Sequence, residues 1–280
     1  MAALAASFAF LRRRPLLAFS AAVFLVLALV ALLAPVVLPD PRSLNPVQRL
    51  KPPSAEHWFG TDHLGRSIWV RTVYGTRVSL AIGLAVALAT TVIGLVIGLA
   101  SGFLKRWDGP LMRCMDAVMA IPGVLLAIAL MSLFGSDIRT VMVAITIPEV
   151  PRMARLVRSL TLSVRAQPYI QAAITNGARL PRLMWRHVLP NVTAAITVQA
   201  TYVFASAMIL EAVLSFLGAG TPPDIPSWGN MLAEGRGYLE RAPWILAFPG
   251  LCLAALVLLV NVTGDAARDT LDPRLSRSLR

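Results

Sequence analysis

Charge is scarce in this chain. Of its 280 residues only 14% are Asp, Glu, Lys or Arg, and 57% are hydrophobic. A soluble globular protein carries about 25% charged and about 45–50% apolar residues. That shortage excludes an ordinary soluble domain and places the chain in the membrane class. Cysteine is nearly absent. Cys114 and Cys252 lie far apart, in or beside apolar runs. They form no CxxC or metal-ligand pair, so neither a disulfide framework nor a zinc site has support. Also missing are a Gly-x-x-x-x-Gly-Lys-Ser/Thr phosphate loop, an HExxH pattern and a nucleophile elbow. Without them the chain has no ATPase site of its own and no constellation for a membrane enzyme.

The net charge of +12 raises nucleic-acid binding as a possibility. The cations, however, sit in loops between apolar runs and form no single basic face. That is the loop bias of a membrane protein. Arg12, Arg13 and Arg14 precede an apolar stretch from Leu16 to Leu38. A secretory signal core is about 7–15 residues long. This stretch is long enough to cross a bilayer, so it is expected to be an uncleaved first span.

Apolar runs predict six spans, at about residues 16–38, 77–103, 117–134, 138–150, 193–217 and 244–263. The fold expected is all-α integral membrane with six transmembrane helices, because a spanning segment must satisfy its own backbone hydrogen bonds. The short alternating strands of an outer-membrane barrel are absent. The fourth span is the weak one, a short run holding Pro148 and Glu149. Charge decides in its favour. Residues 151–192 hold seven arginines (152, 155, 158, 165, 179, 182 and 186) and no acid. Six spans with the N-terminus inside put seventeen basic residues on the cytoplasmic side and nine outside, as the positive-inside rule requires. In the second span, Gly94, Gly98 and Gly102 recur at every fourth position. Close approach of another helix and the general frequency of glycine in membrane helices both account for that spacing.

The basic loop carries the most specific pattern. Pro168 suits the first turn of a helix, Gln171, Ala172 and Ala173 continue it, and Gly177 is placed to end it. Pro181 then starts a second helical segment, which Pro190 is expected to close before the fifth span. Alone, the arginines and Trp185 also fit an interfacial helix on lipid headgroups. The pattern Gln171-Ala172-Ala173, Gly177 and Leu189-Pro190, however, resembles the loop by which ABC-importer permeases grip their ATPases. The departure is Gln171, where the family usually has glutamate. The amide keeps an acceptor oxygen and loses the charge, so an ion pair to a partner arginine would become a neutral hydrogen bond.

Four further stretches resemble the dipeptide/oligopeptide/nickel importers, in particular their C-type permease subunit. They are His57-Trp58-Phe59-Gly60-Thr61-Asp62 through Gly65-Arg66 (with Ser67 where Asp is usual), Leu111-Met112-Arg113 with Asp116 and Pro122, Phe216-Leu217-Gly218 with Pro222-Pro223 and 226–232, and Asn261, Gly264-Asp265, Arg268-Asp269 and 271–275. The resemblance implies a type I ABC-importer permease in the bacterial cytoplasmic (inner) membrane, multi-pass, with both termini cytoplasmic. It implies a homologous B-type permease, two cytoplasmic ABC ATPases that supply ATP and Mg, and an extracytoplasmic solute-binding protein. It implies alternating access as the mechanism, and peptides or related solutes (dipeptides, oligopeptides, glutathione-like molecules or nickel chelates) as cargo. The division implied is 1–76 for the first span and its outer loop, 77–265 for the permease core with coupling loop 151–192, and 266–280 for the tail. The ATPase-coupling residues are then Gln171, Ala172, Ala173, Gly177, Ala178, Arg179, Leu189 and Pro190.

Glu211, an acid in an apolar span, has two readings: a pathway residue that meets a substrate amino group, or an internal hydrogen-bonding group. Glu149 is expected to pair locally with Arg152. His57, His63 and His187 lack a third soft ligand at useful spacing, so no metal site is expected. Residues 221–230 read equally as a docking rim or as a re-entrant turn. A secondary transporter acting without ATPases is the alternative function. It would favour intramembrane charge pairs and repeated halves, which the sequence does not show.

Overall fold

The computed structural model describes residues 15–271; Arg12–Arg14, residues 272–275 of the last motif and the rest of the tail lie outside them. Among the described residues the chain is helical, with one isolated bridge between Thr61 and Ser67. The main elements are α1 (Pro15–Val37), α2 (Ile68–Phe103), α3 (Lys105–Met119), α4 (Gly123–Phe134), α5 (Ile138–Arg165), α6 (Pro168–Thr175), α7 (Leu180–Leu183), α8 (Leu189–Phe216), α9 (Trp228–Gly235) and α10 (Trp244–Leu271).

Four helical stretches are long and apolar enough to cross a membrane: Ala18–Val37, Ile68–Phe103, Leu180–Phe216 and Trp244–Ala266. There are five if the bent pair α3 and α4 counts as one span. The expected six are thus not reached by length and composition. The expected third span is not one helix. Residues 117–119 end α3 and residues 123–134 are α4, and the two helices meet at 86°, because Pro122 disfavours helical backbone at Ile121. The expected fourth span is not a short run ending at Val150. α5 continues through Pro148 and Pro151 to Arg165, and its second half carries the arginines. α2 begins at Ile68, nine residues before the expected start at 77. Ser67 caps it by accepting a hydrogen bond from the Val70 N–H.

α2 and α5 form the most extensive helix pair, and the glycine stripe is the reason. A Cβ at Gly94 would stand 2.5 Å from Met153 Cγ, one at Gly98 2.5 Å from Val157 Cβ, and one at Gly102 2.5 Å from Thr161 Cγ2. The side chains of α5 therefore sit in notches that only glycine leaves open. One core cluster joins Ile82, Val86, Ala144, Ile145, Val203 and Met208. A second, nearer the arginine-rich end, joins Phe103, Met153, Val157, Val188, Val192 and Ile196. Large apolar side chains such as Val36, Leu88, Leu251 and Leu258 remain exposed, as a lipid-facing belt requires.

Candidate functional site: the basic loop between α5 and α8

The loop is built on local chemistry. Pro168 opens α6 in its first turn. Gly177 ends it in the left-handed region at φ +77°. The Gly177 N–H donates to the Ile174 carbonyl at 2.9 Å and the Ala178 N–H to the Ala173 carbonyl at 3.0 Å. That pair of bonds is a Schellman motif. No atom lies within 4 Å of a Cβ placed on Gly177, so glycine is needed there for its backbone angle alone. Pro181 lies in the first turn of α7. Pro190 does not close the second segment as expected. Residues 184–188 form a π turn in which the Leu189 N–H donates to the Met184 carbonyl. Pro190 then sits in the first turn of α8, and the helical path runs unbroken from Leu180 to Phe216.

The loop is anchored below and open above. Ile170, Leu183 and Val188 are fully buried, and Leu189 packs against the second core cluster. Gln171, Ala172, Gly177, Arg179 and Pro190 are exposed, while Ala173 and Ala178 are half-buried. The same loop exposes Tyr169, Ile174, Leu180 and, at 76% exposure, Trp185. Arg179, Arg182 and Arg186 have no ion-pair partner among the described residues. The Gln171 amide donates to the Arg165 carbonyl at 2.8 Å, a bond that an ionised carboxylate could not donate. His187 lies beside Tyr169, ring centroids 6.3 Å apart. Asn191 donates both to the His187 carbonyl and to the Tyr169 hydroxyl.

Three of the arginines that served only as a charge count have specific partners. Arg158 binds the Asp108 carboxylate through Nε and Nη2, at 2.6 and 2.7 Å. Ser101 donates to the same carboxylate at 2.6 Å. The Arg158 contact, and then the Ser101 hydroxyl, bring Asp108 down to a pKa of about 2. Arg155 pairs with Asp116. Arg165 donates to the Gly102 and Phe103 carbonyls at the end of α2. The one available signal was that Asp108 and Asp116, the only acids in 104–116, lie eight apart, on one helix face.

Glu211 is almost fully buried and its Oε1 accepts from Ser227 at 2.8 Å, Ser215 at 2.9 Å and Thr221 at 3.3 Å. Those surroundings favour the internal reading over the pathway one. Residues 221–230 likewise fold inward: Thr221, Ser227, Trp228 and Asn230 are buried, and the Trp228 indole N–H donates to the Thr72 carbonyl at 2.9 Å. Glu149 stands 3.6 Å from Arg152 and accepts from Ser206 at 3.1 Å.

At the opposite end, Arg71 is buried and forks onto Glu234 at 2.6 and 3.0 Å while also reaching Asp62 at 2.8 Å. Arg66 bridges the same two acids. Burial pushes the Asp62 carboxyl up, but Arg66, its backbone N–H and Arg71 outweigh burial and hold the group below its ordinary value. Asp62, His63 and Glu234 each bring a potential ligand atom within 4.8 Å of the others. Both acids already neutralise two guanidiniums, so the cage is charge-balanced without a metal ion.

The sequence matches, over residues 90–277, the family described as binding-protein-dependent transport system inner membrane component. This chain belongs to that family. It is 52% identical over 266 residues to a probable peptide ABC transporter permease protein of Sinorhizobium fredii, covering 95% of this chain and 91% of the relative. It is 40% identical over 249 residues to the dipeptide transport system permease protein of Alkalihalophilus pseudofirmus, covering 88% and 82%. The fold is similar to that in inward-facing structures of the MetNI methionine ABC transporter, with a TM-score of 0.62 and 18% identity over 72% of this chain and 96% of that one. The binding-protein-dependent permease is thus an inner-membrane subunit of an ABC importer with the type I importer fold. It is a transport subunit, not an enzyme, and the reading as a secondary transporter is not favoured.

Proposed function

We propose that this permease carries peptides or closely related solutes, as the names of its relatives indicate for those proteins. It works with a homologous B-type permease, two cytoplasmic ATPases that bind ATP and Mg, and an extracytoplasmic binding protein. The single observation that carries this reading is the exposed loop helix α6. It presents Ala172 without bulk, it carries exposed Tyr169 and Ile174 with exposed Leu180 following, and its Ile170 is buried. Such a knob fits a groove in a partner protein. Residues Gln171 to Arg179 form the contact; Leu189 and Pro190 support it from below. ATPase closure moves the loop, and α5 and α8, which flank it, carry the motion into the spans.

In this arrangement α5, and α4 entered from the charged α3 at the membrane face, bring the spans to six. Both termini and the arginine-rich end then face the cytoplasm. Glu211 braces α8 against the 221–230 turn. Deletion of residues 168–182 tests the reading in proteoliposomes with all partners. The protein should still insert, and substrate-loaded binding protein should no longer stimulate ATP hydrolysis. Stimulation that survives the deletion, or peptide uptake by this chain without ATPases, would overturn it.

A further inference from the structure

A cleft of about 600 Å³ opens at the end of the molecule away from the basic loop. Its apolar wall is made by Pro35, Leu38, Val78, Ala81 and Ile138, and its polar rim includes Asp40, Tyr74 and Arg77. Arg42 also lines it but is engaged, at 3.0 Å, by Asp224. Arg77 has no ion-pair partner among the described residues. Asp40 has none either, and one of its oxygens accepts the Arg42 backbone N–H. The cleft therefore offers one unneutralised cation and one unneutralised anion above an apolar wall.

The position of these two charges fixes the level of the cleft. Residues 78–104 hold no charged side chain, and Arg77 is the last charge before them. Residues 15–39 hold none, and Asp40 is the first charge after them. An uncharged helix of that length spans a hydrocarbon core of about 30 Å at about 1.5 Å per residue. Arg77 and Asp40 thus stand where two spans leave the hydrocarbon, with Tyr74 at the depth that aromatic side chains favour. The start of α5 at Ile138 closes the third side.

We propose that this cleft seats the zwitterionic headgroup of a membrane phospholipid bearing a primary amine. The phosphate lies against Arg77 and the Tyr74 hydroxyl, the ammonium against Asp40, and an acyl chain against Leu38, Val78 and Ala81. A primary ammonium donates hydrogen bonds to a carboxylate and a quaternary one does not. A phosphoglycerol headgroup lacks the cation and meets Asp40 unfavourably. The site therefore selects phosphoethanolamine over both. A lipid is favoured over a zwitterionic solute because the apolar wall belongs to the spans themselves, at the depth of the acyl chains.

The test measures lipid retained by the full-length protein after detergent extraction, by mass spectrometry, and in nanodiscs of defined composition. Phosphoethanolamine lipid should be enriched over phosphocholine and phosphoglycerol lipid. Arg77→Ala should cut that enrichment about fivefold, the weight of one cation beside a phosphate. Arg77→Lys should retain it, which separates lost charge from misfolding. Asp40→Asn should remove the preference for the amine and admit phosphoglycerol. Arg49→Ala, at an exposed position outside the cleft, should change nothing. Equal retention by Arg77→Ala and the parent, or displacement of the bound lipid by a millimolar zwitterionic dipeptide, would overturn the proposal.

Discussion

Arg158 on α5 grips Asp108 on α3 with two charge-assisted bonds, at 2.6 and 2.7 Å, across fifty residues of sequence. Together with the bonds from Arg165 to the carbonyls at the end of α2, this contact ties the root of the basic loop to two other helices. The loop is therefore mounted on a braced base, and a force applied to α6 reaches the spans through α5.

Breaking that brace has a measurable cost. Asp108→Ala should lower the thermal stability of the purified protein by on the order of 1 kcal/mol, the range of a partly exposed ion pair. It should also weaken stimulated ATP hydrolysis in the assembled transporter. Exchanging the pair, Asp108→Arg with Arg158→Asp, should recover much of both. No recovery would show that Ser101, not Arg158, is the partner that matters.

Acid should loosen the protein, and the sign follows from the depressed carboxyls. Asp108 titrates at about 2 in the folded protein, against about 3.9 for a free aspartate. Its contribution is complete above about pH 4 and is lost as the pH falls toward about 2. Asp62 is also depressed, by Arg66 and Arg71 against its burial, and adds in the same direction. The melting temperature should decline from about pH 4 toward about pH 2, and the difference between parent and Asp108→Asn should narrow over that interval. A constant difference would refute the assignment.

The glycine stripe allows a steric test. At Gly98 an added methyl group would meet Val157 Cβ at 2.5 Å and the Ala154 carbonyl oxygen at 2.7 Å. Gly98→Ala should therefore push α2 and α5 apart and destabilise by about 1–3 kcal/mol. Val157→Ala should rescue it only in part: it removes Val157 Cγ1, which would stand at 2.8 Å, and leaves Val157 Cβ and the Ala154 carbonyl oxygen in place. Unfolding in detergent measures the cost, and cross-linking between α2 and α5 measures the separation.

Gly177 separates backbone strain from packing. Its φ is +77° and nothing crowds a Cβ there. Gly177→Ala should cost about 1–2 kcal/mol in the local turn, and Gly177→Asn less. Protease sensitivity of the loop should be greatest for Gly177→Ala, intermediate for Gly177→Asn and least for the parent, with ATPase stimulation falling as sensitivity rises. Equal behaviour of the two variants would show that the turn does not depend on the left-handed angle.

Glu211 distinguishes a brace from a pathway residue. Glu211→Ala leaves the Ser215, Thr221 and Ser227 hydroxyls without their acceptor, and the stability loss should be about 1–3 kcal/mol. Glu211→Gln, which retains one acceptor oxygen, should lose less and keep the substrate preference. A changed preference with an unchanged melting temperature would restore the pathway reading.

The loop helix α6 was legible because its chemistry is local. Proline at the first turn, small residues in the middle and glycine in the left-handed position act within ten residues, and α6 with its Schellman turn follows from them. The end of the segment was misread because Pro190 has two local outcomes. It can stop a helix or occupy the first turn of the next, and the π turn at 184–188 selects the second. The bend at Pro122 and the length of α5 were missed for a related reason. A hydropathy run records how much apolar sequence there is, not where its axis turns.

By itself the sequence determined the membrane class, the helical architecture, the family and the position of the loop. The class and architecture rest on composition, the loop on neighbours in the chain, and the family on the resemblance of its motifs. Only the tertiary structure decided what the charges do. Arg158 meets Asp108, Arg71 meets Glu234 from 163 residues away, and Glu211 gathers hydroxyls from both sides of a turn. Such partners are chosen by how helices pack. The glycine notches of α2 set one such packing, against α5, while Arg77 and Asp40 are left without ion-pair partners among the described residues.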